Sequence, residues 1–173
     1  MILLTGALTI VFGPQEPSDF WVDALKLWWL SVKAQFPLVE ELVIYLDNGP
    51  QNSGVRTQFL KRMVEFADWS GLRIRLVYYP PYHSKYNPIE RCWSSLQKKW
   101  NGVLLTCVAV VLAFAGRMRC KGQHPTVRSL DGEYPIGIRI SNRDMQAINA
   151  RLERSTTLGK YDITIRPIQP RVR

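Results

Sequence analysis

Two histidines, three cysteines and no apolar run long enough to cross a bilayer exclude several classes of protein for this 173-residue chain. Two histidines are too few for a histidine-based metal site. Cys92, Cys107 and Cys120 form an odd set with no C-x-x-C spacing, which argues against a disulfide framework or a zinc site and suits a reducing cytosol. The apolar run over residues 103–115 falls well short of the roughly 20 residues that span a membrane, and it reads as a buried helix. Residues 1–12 are apolar, but no basic residue precedes them and no small-x-small cleavage site follows, so they do not read as a secretory signal. No internal repeat is present.

Acid is also scarce. Aspartate and glutamate number 14 against 23 lysines and arginines, giving a net charge of +9 and a pI near 9.7. An excess of that size points to a polyanionic partner, nucleic acid or an anionic membrane surface, or else to a merely soluble basic protein, and the short apolar runs disfavour the membrane. At 46% apolar and 21% charged residues, the composition is that of a folded domain with a real core, and the length leaves room for a small appendage.

Apolar spacing predicts the order of elements. Residues 8–12 read as a strand closed by Gly13-Pro14, and Ser18 as the N-cap of a helix that runs to Pro37. The unbroken run 42–46 suits a central strand covered on both faces, and it ends at Asp47-Asn48-Gly49-Pro50. A helix from about Ser53 carries Phe59, Met63, Phe66 and Ala67 inward and stops at Gly71; residues 72–78 then alternate as a strand. Together these form a βαβ unit. A rigid loop, Tyr79 to Pro88, leads into a helix whose expected inner face is Ile89, Trp93, Leu96 and Trp100. Past Gly116 the chain turns basic. A short helix starts at Ser141, with Asp144 completing a capping box and Met145, Ile148 and Leu152 facing inward. A brief strand at residues 161–165 precedes a loose Pro/Arg-rich end.

Asp47 stands at the carboxyl end of an apolar parallel strand, where open α/β sheets gather ligands. Asp, Asn, Gly and Pro also make a good turn in their own right. Glu90 has two readings as well: a carboxylate site, or the third residue of a helix that Asn87 caps and Pro88 begins. His83 and Lys85 lie between Tyr82 and Tyr86, a mixture suited to phosphates and bases and equally to a solvated loop.

Taken in order, these pieces resemble a known family. Leu46-Asp47-Asn48-Gly49-Pro50-Gln51-Asn52 resembles the second-aspartate motif of DDE transposases. Tyr79-Pro80-Pro81-Tyr82-His83-Ser84-Lys85-Tyr86-Asn87-Pro88-Ile89-Glu90-Arg91 resembles their third-carboxylate motif, most closely that of ISAzo-type bacterial insertion sequences. The resemblance implies an α/β, RNase H-like fold related to retroviral integrases, a mixed sheet flanked by helices. It implies residues 1–116 as a catalytic core and 117–173 as a basic C-terminal extension. It implies two magnesium ions, with manganese able to substitute, held by three carboxylates of which Asp47 is the second and Glu90 the third. Asn48, His83, Lys85 and Arg91 become DNA contacts; element ends and target DNA become partners, with self-association. The location implied is the bacterial cytoplasm, at the nucleoid.

The first aspartate has no counterpart in this reading. It belongs on a strand upstream of residues 8–12, and Asp19 and Asp23 fall on the first helix instead. The expectation is a core incomplete at its N-terminus, with residues 42–46 left as an open apolar edge. The alternative to an active transposase is a catalytically dead DNA-binding or interaction remnant.

Overall fold

The computed structural model describes residues 1–80, 82–83 and 86–169. In chain order these form β1 (Thr9–Phe12), α1 (Ser18–Val32), β2 (Glu41–Leu46), α2 (Thr57–Ser70), β3 (Arg73–Tyr78), α3 (Ile89–Trp100), α4 (Val108–Arg117), β4 (Thr126–Ser129), α5 (Asn142–Asn149), β5 (Leu152–Arg154) and β6 (Asp162–Ile165). The elements sort into two units, each built from two stretches of chain. Met1–Pro14 joins Ser84–Gly132, and Gln15–His83 joins Glu133–Arg173. Residue 116, the expected boundary of a catalytic core, lies inside α4; residues beyond it supply β4 to the first unit and α5, β5 and β6 to the second.

The second unit holds a mixed sheet in the order β2-β3-β6-β5. Leu72, Ile74, Leu76 and Tyr78 alternate into its core, which is what a period of two requires of a strand with one covered face. Phe59, Met63, Phe66 and Ala67 bury one face of α2, and Gly71 ends that helix in the left-handed conformation, φ 68°, where its N–H reaches the Ala67 carbonyl. β2 then pairs parallel with β3, Leu46 opposite Tyr78, and β6 adds antiparallel on the far side of β3 with Ile163 and Ile165 buried. Ser141 caps α5, its hydroxyl accepting the Asp144 N–H at 3.1 Å.

Several expectations change here. β2 is not a central strand covered on both faces; it is an edge strand, with Val43 39% and Tyr45 46% exposed. An unbroken apolar run marks a strand without saying how many neighbours it has. Ser18 does not cap α1: it is the helix's first residue, and its buried hydroxyl serves another loop. α2 starts at Thr57 rather than near Ser53, and Leu152 opens β5 after α5 has ended at Asn149. Of the C-terminal end, the amide of Ile168 is tied to Asp68, while residues 170–173 lie outside the described residues.

In the first unit β1 pairs parallel with β4 over a core of Leu8, Ile10, Cys92, Leu96, Ala115 and Met118. Cys92 takes the inward position on α3 expected of Trp93, which is substantially exposed. Residues 103–115 are not a buried helix. Helix begins only at Val108, Ala115 is its one buried residue, and Leu104 is 82% exposed. Cys92 and Cys120 are joined as a disulfide and Cys107 is free, so an odd cysteine count here means one pair and one remainder. No helix among the described residues is long and apolar enough to cross a membrane.

Candidate active site

β2 delivers Asp47 one residue past its last, at the carboxyl end of the parallel β2–β3 pair. The aspartate is exposed. Asn48 follows with φ 62°, the left-handed region that asparagine tolerates better than most side chains. Oδ1 of Asp47 accepts the Gly49 N–H at 3.3 Å and Nδ2 of Asn52 at 3.0 Å. The carboxylate therefore organises its own turn through one oxygen, while Oδ2 has no hydrogen bond among the described residues. The turn and ligand readings of this residue are compatible.

The loop beyond is pinned from three sides. Ser18 donates from α1 to the Gln51 carbonyl at 2.7 Å, the Asn52 N–H reaches Gly49 O at 3.2 Å, and Arg154 of β5 donates to Gly54 O at 2.8 Å. Gly54 itself is there for space: a Cβ would stand 3.1 Å from Ile163 and 3.2 Å from Tyr78. Asp47 opens onto a cleft of about 390 Å³ whose walls include Glu16, Pro17, Trp21, Pro50 and Asn52. Asn52 is only 2% exposed, and its Oδ1 has no hydrogen-bond partner among the described residues.

Glu90 lies in the first turn of α3, in the first unit, and is exposed. Asn87 fixes that turn: its Oδ1 accepts the Ile89 N–H at 3.3 Å and its carbonyl the Glu90 N–H at 3.1 Å. The expected capping box does not form: the helix begins at Ile89 behind Pro88, which makes no side-chain cap bond, Asn87 closes only a local turn, and the Glu90 side chain is left in solvent. Arg91 follows, also exposed. His83 is exposed and belongs to the second unit, its N–H bonded to Pro80 O; Lys85 lies outside the described residues. The structure thus groups Asp47, Asn48 and Asn52 in one unit and Glu90 with Arg91 in the other.

A hard divalent ion takes about six oxygen ligands, usually with carboxylates among them. At Asp47 the donors are of the right kind and too few. One oxygen of the carboxylate and the unpartnered Asn52 Oδ1 suit such an ion, yet no group of three or more His, Cys, Asp or Glu among the described residues comes together to hold one. The described residues do not fit a resident metal ion by themselves.

Sequence reading missed Asn52 and Ser18. Asn52 sits within the aspartate motif, but its burial depends on tertiary packing. Ser18 looked like a cap because serine before a helix usually is one.

The profile of the family described as Rhodopirellula transposase DDE domain matches residues 5–167, a span that includes β2, Asp47, α3 and Glu90. Comparison with curated proteins and with solved structures gives no match. With nearly its whole length matched, the chain belongs to the family of the Rhodopirellula transposase DDE domain.

Proposed function

We propose that this chain acts on DNA as a transposase domain of RNase H-like type, with Asp47 and Glu90 as two of its functional carboxylates. The observation that carries the reading is the setting of Asp47: an exposed carboxylate just past a parallel strand, on a turn held by buried Asn52 and Ser18, at the mouth of an open cleft. Ligands of open α/β sheets gather at that end of the strands. The family match supports DNA as substrate.

The family's reaction is in-line attack of a water or 3′-hydroxyl oxygen on a DNA phosphorus, with departure of the opposite oxygen. Carboxylates beside a phosphate repel it, so their use there is to hold positive charge, which the magnesium ions implied by the family would supply. Asn48, His83, Lys85 and Arg91 are proposed as DNA contacts. Because the ligand set at Asp47 is short, this chain alone is expected to bind DNA without completing strand transfer.

The test is a binding and cleavage assay on DNA carrying the element's ends, with magnesium and with manganese. Wild-type chain is expected to bind and not to join strands. Asp47→Asn is expected to bind at least as well, since an anion facing phosphates is removed. Absence of DNA binding in about 50 mM salt, where phosphate contacts are strong, would refute the reading. Cleavage by the chain alone would show that another of its carboxylates completes the set.

A further inference from the structure

By sequence, the stretches Met1–Pro14 and Ser84–Gly132 contain eight basic residues and only two acids, Glu90 and Asp131. Every ion pair among the described residues lies in the other unit. Among the described residues, Arg91, Lys98, Lys99, Arg117, Arg119, Lys121 and Arg128 of the first unit are therefore exposed without carboxylate partners, and like charges crowded together destabilise the surface that carries them.

Their arrangement is regular. On α3, residues 91, 95, 98 and 99 follow the i, i+4, i+7, i+8 spacing of one helical face, and Arg91, Lys98 and Lys99 are exposed. From the last residue of α4 onward the side chains alternate: Met118 and Cys120 are buried, while Arg117, Arg119 and Lys121 are exposed. All three outward positions are basic. Two bonds lock this segment to the helix. Ser95, in the middle of the cationic face, donates to the Arg119 carbonyl at 2.9 Å, and the Cys92–Cys120 disulfide holds the two backbones 5.3 Å apart at Cα.

We infer that Arg91, Lys98, Lys99, Arg117, Arg119 and Lys121 form a phosphate-binding ridge that tracks the backbone of duplex DNA. The inference rests on the DNA reading above and assigns it a surface. From Arg91 to Lys98 the helix rises about 10 Å, equal to about three phosphate steps at an axial rise of about 3.4 Å per nucleotide. The contacts are to phosphate, so the ridge positions DNA without reading its sequence. Glu90 is the second residue of the same helix, one position before the ridge begins.

The experiment measures affinity for a random-sequence duplex by fluorescence anisotropy across a salt series. Each lost phosphate contact flattens the log–log salt slope by about one unit. Arg117→Gln/Arg119→Gln/Lys121→Gln is expected to flatten it by about 2–3 units and to weaken binding tenfold or more. Lys98→Gln/Lys99→Gln, on the other row, is expected to flatten it by about 1–2 units. Lys33→Gln/Arg139→Gln/Arg143→Gln removes as many exposed charges from the second unit and is expected to leave the slope as it is. Circular dichroism reports folding of each variant, and the α3 pair stands in if the first triple unfolds. A wild-type slope in both ridge variants, or an equal loss in the second-unit control, overturns the ridge while leaving the DNA reading intact. A wild-type chain that binds anionic vesicles and no DNA overturns both.

Discussion

Asn48 and Gly54 show what the loop around Asp47 demands of single residues. At φ 62°, Asn48→Gly is expected to be neutral, whereas Asn48→Val places a β-branched side chain in the left-handed region and is expected to cost about 1–2 kcal/mol. Gly54→Ala pushes a methyl against the buried side chains of Ile163 and Tyr78, which have little room to give, and is expected to cost about 1–3 kcal/mol. Urea unfolding of each variant checks both; a stabilised Gly54→Ala would contradict the packing described. Buried Tyr78 also resists ionising, its pKa pushed up by desolvation. At this scale the sequence was readable where a residue acts locally. Gly71, the Ser141–Asp144 cap and the Asn87 turn all follow from neighbours within four positions. Ser18 and Gly54 did not declare themselves, since their partners, Gln51 for one and Tyr78 and Ile163 for the other, lie far along the chain, and the burial of Asn52 depends on tertiary packing.

The elements at the sheet's far side are tied by arginine–carboxylate pairs, and these predict behaviour in acid. Burial pushes the Asp68 carboxyl up, but hydrogen bonds from Arg151 and the Ile168 amide, with the charge of Arg151, outweigh it and leave the pKa below the usual value. Hydrogen bonds from Arg75 and Arg166 hold Asp162 and Glu153 down in the same way. Carboxylates depressed in the folded state lend stability that is full above the ordinary carboxylate value of about 4 and is lost as pH falls through the lower folded values. The urea midpoint is therefore expected to drop below about pH 4, and Arg151→Ala to make that drop shallower. An acid profile unchanged in the variant would remove the Asp68 pair from the account. The opposite edge is open. β2 exposes Val43 and Tyr45 beside a backbone edge that pairs with no other strand among the described residues, a surface that invites other chains. Self-association on sedimentation is expected, and Val43→Lys is expected to reduce it; unchanged association would place the contact elsewhere. The β2–α2–β3 unit was legible from periodicity. Periodicity alone suggested a central strand for β2, while the missing upstream neighbour in the family reading left it an open edge, which is where the sheet has it; the antiparallel addition of β6 and β5 beyond β3 was not legible, because those strands lie far along the chain.

At the scale of the whole chain, the two units should respond differently to reductant. The Cys92–Cys120 link closes a loop with a sequence separation of 28, for which chain-entropy arguments give about 3–4 kcal/mol. Reduction is expected to lower the unfolding transition of the first unit and leave the second, which holds none of the three cysteines, where it was. A simultaneous shift of both would show that they unfold as one. Family membership was legible because two long motifs stand in the right order. The pairing of its cysteines was not, since the residues between Cys92 and Cys120 say nothing of the packing that brings the two together. The central claim, that Asp47 and Glu90 are both carboxylates of a reaction on DNA, is tested most directly by titrating manganese into the DNA-bound chain, detected by electron paramagnetic resonance. Wild type, Asp47→Asn and Glu90→Gln are compared. The account predicts weak binding that falls tenfold or more in either variant. Either variant binding manganese as wild type does would contradict it.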